Sequence, residues 1–204
     1  MLNASITFCK ANPTIDEGRE FANYLDEAAE GFFHFMLGRQ FVEIIANAFI
    51  QQGHDLSYQN ATFARRNKII VGMVSGYTAE QHRQSSDRPL KQAAGRFNLR
   101  MIAVSTLFSP LFRIIDNIAD DDFYLQAMAV NKELRGEGIG STLMDYAEDC
   151  ARACGSSRLS LDVSAGNKGA RKLYEQRGMT VESQWPKRIP IPGMKFFRMV
   201  KELK

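Results

Sequence analysis

The segment Arg135-Gly136-Glu137-Gly138-Ile139-Gly140-Ser141 lies between a strand-like run, 123–130, and a strongly helical run, 141–154. Its glycines allow a tight turn and a close approach of backbone to a ligand, because no Cβ stands in the way. A helix opening at Ser141 would aim its unsatisfied N–H groups and positive dipole end into that turn. Such a cradle suits a phosphate or pyrophosphate. A strand, a glycine turn and a helix in this order also point to an α/β fold.

Working outward, 159–163 reads as a buried strand and Asn167 to Arg177 as a short helix stopped by Gly178. Two further strands, 179–185 and 196–203, flank a loop that contains Pro186, Pro190 and Pro192. Toward the N-terminus, Ile6 to Lys10 is a first strand. One helix is expected from Asp16 to about Leu37, with Phe21, Leu25, Phe32 and Phe35 on its apolar stripe. A second follows Gly38 and closes near Gly53. The runs 61–65 and 69–77 form a hairpin around Asn67-Lys68. The chain is polar over 80–88 and helical over 89–118, where Pro110 starts or kinks a helix. One mixed central sheet in a single domain, 1–204, with a helical insertion at about 80–118, accounts for this order.

The net charge of +3, from 26 basic and 23 acidic residues, is too mild to argue for nucleic acid. No apolar run reaches the roughly 18 residues of a membrane span, and the N-terminus lacks the pattern of a signal peptide. Cys9, Cys150 and Cys154 are odd in number; Cys150 and Cys154, four apart on a helix with Leu143, Ala147 and Ala151, read as buried thiols. A cytoplasmic location fits these features. His34, His54 and His82 show no metal spacing, and no metal is expected.

Three phosphate sites compete for the glycine turn. A P-loop needs Lys after its last glycine, and Ser141 stands there. A dinucleotide fingerprint needs G-x-G-x-x-G directly after its strand. Ser141 takes the third glycine's place and 131–134 intervene, although Asp162 would suit a ribose. The third reading is sharper. Arg135, Gly138 and Gly140 fill the fixed positions of [QR]-x-x-G-x-[GA], and this stretch resembles the signature of the GNAT superfamily of N-acetyltransferases. Downstream, Asn167-Lys-Gly-Ala-Arg-Lys-Leu-Tyr-Glu-Gln-Arg-Gly-Met resembles that family's second signature, N-x-x-A-x-x-[LF]-Y-x-x-x-G-F, with Met179 in place of the last aromatic. The resemblance covers about 123–185.

The resemblance implies a mixed, mostly antiparallel sheet flanked by helices, and an enzyme moving an acetyl group from acetyl-CoA directly to a primary amine through a tetrahedral intermediate. Arg135, Gly136, Glu137, Gly138, Ile139, Gly140 and Ser141 would hold the coenzyme A pyrophosphate. Met128, Ala129 and Val130 would pair with the pantetheine and face the thioester carbonyl, at a bulge where the strand splays. Asn167 would bond the cofactor arm, or serve as an ordinary helix cap. Tyr174 would protonate the departing thiolate, a role a phenol can fill while protonated at neutral pH. Asp162 is a candidate general base or a structural anchor. The run Asp120, Asp121, Asp122 reads as a solvated turn or as an attractor of a cationic amine, and Tyr124 and Gln126 as lesser polar contacts in the cleft.

The acceptor, a small-molecule or peptide amine, would meet 16–53, the insertion and 185–195. Phe32, Phe33, Phe35 and Phe41 read as core or cleft lining. The apolar 97–118 stretch is a candidate lid, homodimer face or packing surface. A non-catalytic acyl-CoA-binding sensor or regulatory module is the alternative from another class.

Overall fold

In the computed structural model, which describes residues 5–95, 98–109, 116–186 and 195–203, seven strands form one sheet in the order β1-β2-β3-β4-β5-β7-β6. They are β1 (Thr7–Lys10), β2 (Ala61–Arg66), β3 (Ile69–Thr78), β4 (Asp122–Val130), β5 (Arg158–Ser164), β6 (Thr180–Trp185) and β7 (Phe196–Glu202). Neighbours are antiparallel except β4 and β5, so the mixed, mostly antiparallel sheet expected from the sequence is the one observed. Asn67 and Lys68 join β2 to β3 with φ of 53° and 68°. Two successive left-handed residues match the twist of the flanking strands, which is why this pair closes the hairpin.

Eight α-helices are described: α1 (Ile15–Ala28), α2 (Phe32–Leu37), α3 (Phe41–Phe49), α4 (Ala79–Gln84), α5 (Arg88–Ala94), α6 (Leu99–Leu107), α7 (Ile139–Ala153) and α8 (Lys168–Gln176). On one side of the sheet, Phe21, Leu25, Ile45 and Phe49 from α1 and α3 pack with Phe63 and Met73. The Phe21 and Phe49 rings lie 4.8 Å apart. On the other side, Ile139, Leu143 and Met144 of α7 pack with Leu159, Leu161 and Met199. Each fully buried side chain of this kind contributes about 1.5–3 kcal/mol. The site-bearing strands β4 and β5 are thus held between two cores.

Several local expectations are corrected. The single helix 16–37 is two, because Glu30 (φ 54°) and Gly31 (φ 86°) turn left-handed between them. The polar 80–88 stretch contains α4, whose Thr78 and Gln81 form a reciprocal capping box. The 89–118 run holds α5 and α6, and the expected break at Pro110 lies outside the described residues. Helix α7 begins at Ile139, two residues before Ser141, because left-handed Gly138 caps it. Cys150 is only partly buried and Cys154 is exposed, so the pair is not a buried thiol pair. The acidic run is not wholly solvated either. Asp122 is buried, with an oxygen 3.2 Å from Arg158 Nε.

One position fixes how β3 meets β4. The register steps from Ser75↔Ala127 to Gly76↔Leu125, which leaves Gln126 as the extra, bulged residue. A Cβ on Gly76 would stand 2.5 Å from Phe123 Cε1 and 2.8 Å from the Tyr124 carbonyl oxygen. Gly76→Ala should therefore cost about 1–3 kcal/mol, read as a lower urea midpoint at unchanged slope. A midpoint equal to wild type would mean that the bulge relaxes freely.

Candidate active site

The parallel contact between β4 and β5 is brief: Asp122↔Arg158, Phe123↔Leu159 and Tyr124↔Ser160. Beyond it the two strands carry no mutual register, and the β4 backbone from Leu125 onward is freed on that side. The splay therefore begins at Leu125, beside the Gln126 bulge, three residues earlier than the expected Met128. A cleft of about 1020 Å³ runs along this gap. Its walls gather the expected Met128, Ala129 and Val130, the glycine turn apart from Glu137, and Ser141, Asp162, Asn167 and Tyr174. Tyr124 and Gln126 line it too, as do Phe32, Phe33 and Phe35, whereas Phe41 instead packs beside the core. Most of the 185–195 loop lies outside the described residues.

At one end stands the glycine turn. Gly136 and Gly138 have φ of 87° and 86°, and nothing lies within 4 Å of where a Cβ would project from either. Gly140 plays a different part. It sits in the first turn of α7, where a Cβ would meet Leu173 Cδ2 at 3.2 Å, so its role is close packing of α7 against α8. The first turn of α7 leaves N–H groups without intrahelical acceptors, which with the open glycine backbone fits an anionic group such as a pyrophosphate. Glu137 turns its side chain away, with an oxygen 2.7 Å from Arg66 Nη1. Arg135 pairs with Glu27 of α1.

Asn167 caps α8: its Oδ1 accepts from the Ala170 N–H at 3.1 Å. The cap and the cleft position coexist, since the amide Nδ2 makes no hydrogen bond among the described residues. Tyr174 is 7% exposed. Its hydroxyl also lacks a partner among the described residues, and burial pushes the phenol up to about 12.

At the closed end, Asp162 is heavily engaged. Arg198 donates from Nε to Oδ1 at 2.9 Å and from Nη2 to Oδ2 at 2.6 Å. Tyr124 donates its hydroxyl to Oδ2 at 3.0 Å. Arg198 also donates to the Asn117 carbonyl at 2.6 Å. Burial holds the Tyr124 phenol well above its ordinary value, with Asp162 reinforcing the shift.

Next to this pair lies a cluster that sequence reasoning missed. His82 Nδ1 is 2.8 Å from Asp55 Oδ2 and its Nε2 is 3.8 Å from Asp116 Oδ1. The imidazole stacks on Tyr77, with centroids 5.4 Å apart. Burial lifts the Asp116 carboxyl above the usual range, His82 opposes this, and Asp55 adds to it. Asp55, Asp116 and Tyr77 line the cleft. The Thr78-x-x-Gln81 capping pattern was the available signal, since it puts His82 on a helix leading directly out of β3.

Known proteins place this architecture. A [ribosomal protein bS18]-alanine N-acetyltransferase of Bacillus subtilis (strain 168), provisionally named as such, is 36% identical over 62 residues, which are 30% of this chain and 41% of that protein. The match thus spans less than half of that curated relative. A crystal structure of an acetyltransferase superposes with a TM-score of 0.67 at 23% identity, covering 97% of this chain and 100% of that one. An N-acetyltransferase from Staphylococcus aureus Mu50 gives a TM-score of 0.68 at 16% identity, covering 96% and 100%. These likenesses establish a shared fold. A model described as the Acetyltransferase (GNAT) family matches residues 23–179, most of the length that carries both signatures and the cleft, and the chain belongs to that family.

Proposed function

We propose that the protein is an N-acetyltransferase that uses acetyl-CoA and transfers the acetyl group directly to a primary amine. The observation that carries this reading is the gap between β4 and β5, which joins the glycine cradle to Tyr174 in one cleft. Acetyl-CoA would supply an acyl group already activated as a thioester. The Gly136–Ser141 backbone would hold its pyrophosphate. The freed β4 backbone, from Leu125 through Met128, Ala129 and Val130, would pair with the pantetheine arm as a missing strand would, and one of its N–H groups would face the carbonyl oxygen. Asn167 Nδ2 supports the same arm.

Tyr174 Oη is the proton donor to the departing sulfur in this reading. Asp162 we assign to holding Tyr124 and the closed end of the gap, because its two oxygens already accept three hydrogen bonds from Arg198 and Tyr124. Oxygens so engaged have little lone-pair capacity left for an incoming amine.

Thermal unfolding with acetyl-CoA, CoA and NAD in parallel tests the cofactor without knowledge of the acceptor. A ligand at 100 times its Kd should stabilise by about 2.7 kcal/mol, a rise of roughly 5–10 °C for a chain of this size. Selective shifts with the two CoA species, followed by thiol release with a panel of primary amines, support the proposal. Stabilisation by NAD alone overturns it. A CoA shift with no thiol release from any amine would indicate an acyl-CoA-binding module instead.

A further inference from the structure

We infer that the closed end of the cleft receives an amine carrying a second cationic group, which Asp116, Asp55 and Tyr77 hold. The inference rests on the acetyl-transfer reading above and names its acceptor class.

Charge supplies the first argument. Three carboxylates line this end: Asp55, Asp116 and Asp162. Arg198 neutralises Asp162 through two hydrogen bonds. Asp55 and Asp116 share a single imidazole, which is close to Asp55 at 2.8 Å and only within 3.8 Å of Asp116. One imidazole can pair closely with only one of the two, and Asp116, the more distant, is the carboxylate left without a close cationic partner among the described residues. An ammonium or guanidinium placed there would complete the set.

Tyr77 supplies an independent one. It is 3% exposed, it lines the cleft, and its hydroxyl has no hydrogen-bond partner among the described residues. Its ring is fixed between His82 and Tyr124, at centroid distances of 5.4 and 5.7 Å. The oxygen is not among the sealed, partnerless atoms of the described residues, so it opens onto the cleft, where it can accept an N–H from a bound cation. The hydroxyl and the carboxylates therefore ask for the same ligand group.

The charge they hold is not that of the reacting nitrogen. Attack on a carbonyl needs a neutral amine, so a site that stabilises a lasting positive charge suits a second group on the same molecule. Phe32, Phe33 and Phe108 line the cleft as well, and they suit an aliphatic stem between the two nitrogens. A free alkyl diamine and a basic side chain beside a peptide amine share this chemistry.

Thiol release at saturating acetyl-CoA tests it. The acceptors are 1,4-diaminobutane and spermidine against 1-aminobutane, 4-amino-1-butanol and 4-aminobutyrate, with Ala-Arg against Ala-Ala as the peptide arm. The expected result is a preference in kcat/KM of about tenfold or more for the cationic member of a set, equivalent to about 1.4 kcal/mol. Preference confined to the diamines identifies a small-molecule acceptor, and preference confined to Ala-Arg a peptide. Asp116→Asn should bring the ratio close to one, and Tyr77→Phe should lower it part of the way. Thermal stabilisation by 1,4-diaminobutane should likewise be lost in Asp116→Asn, a reading that needs no turnover. Equal kcat/KM for cationic, neutral and anionic acceptors, in a protein that binds and consumes acetyl-CoA, would overturn the inference and leave the acetyl-transfer reading standing. Absence of CoA binding would instead remove that reading and this inference with it.

Discussion

Tyr174→Phe is expected to lower kcat for acetyl transfer by about 10²- to 10⁴-fold, the usual contribution of a positioned general acid, while stabilisation by acetyl-CoA persists. The ring is buried among apolar neighbours of α7, β5 and β7, and phenylalanine preserves that packing. The hydroxyl has no partner among the described residues, so its removal orphans no protein group. The sign of the pH dependence follows from its position. A phenol pushed up to about 12 by burial stays protonated well below that value, so the deficit should be constant from pH 6 to 9. Steady-state thiol release across that range measures it. A kcat within twofold of wild type, with the CoA shift intact, would assign the proton to another donor.

The second large effect is on stability. Arg198→Met removes the cation that balances Asp162, leaving a carboxylate that is 11% exposed with only the Tyr124 hydroxyl as its partner among the described residues. Breaking a buried pair by deleting one side costs about 3–5 kcal/mol. A chain of this size should then lose roughly 6–20 °C in Tm. Replacing both members, as in Arg198→Met with Asp162→Leu, should recover part of the loss, because no uncompensated charge remains. Calorimetry on the three variants separates the outcomes. A single variant within about 1 kcal/mol of wild type would mean that Asp162 finds solvent once Arg198 is gone, and would return it to the candidates for proton acceptor.

What the sequence discloses is governed by the range of the interactions. The glycine turn, the Asn67-Lys68 hairpin and the Asn167 cap are legible because each is decided by backbone chemistry within a few neighbours. The extra strands at the C-terminus were visible, but the insertion of β7 between β5 and β6 was not, since strand order is a matter of long-range pairing. The break at Glu30-Gly31 was hidden by an apolar stripe that continues across it. Asp162 with Arg198, 36 residues apart, and His82 with Asp55, 27 apart, carry no periodic signal. Ion pairs of that kind are written only in three dimensions, and they bring Asp55 and Asp162 to a part of the cleft that the signatures do not cover.

The brevity of the β4–β5 contact has a mechanical side. A ladder of three residue pairs is the whole parallel seam between a four-stranded ribbon, β1 to β4, and a three-stranded one, β5 to β7. A pantetheine arm lying in the gap would continue that seam, stitching the ribbons together where the polypeptide leaves them apart. The occupant would then be a structural strut as well as a reactant, and each turnover would begin and end with the sheet changing its effective width.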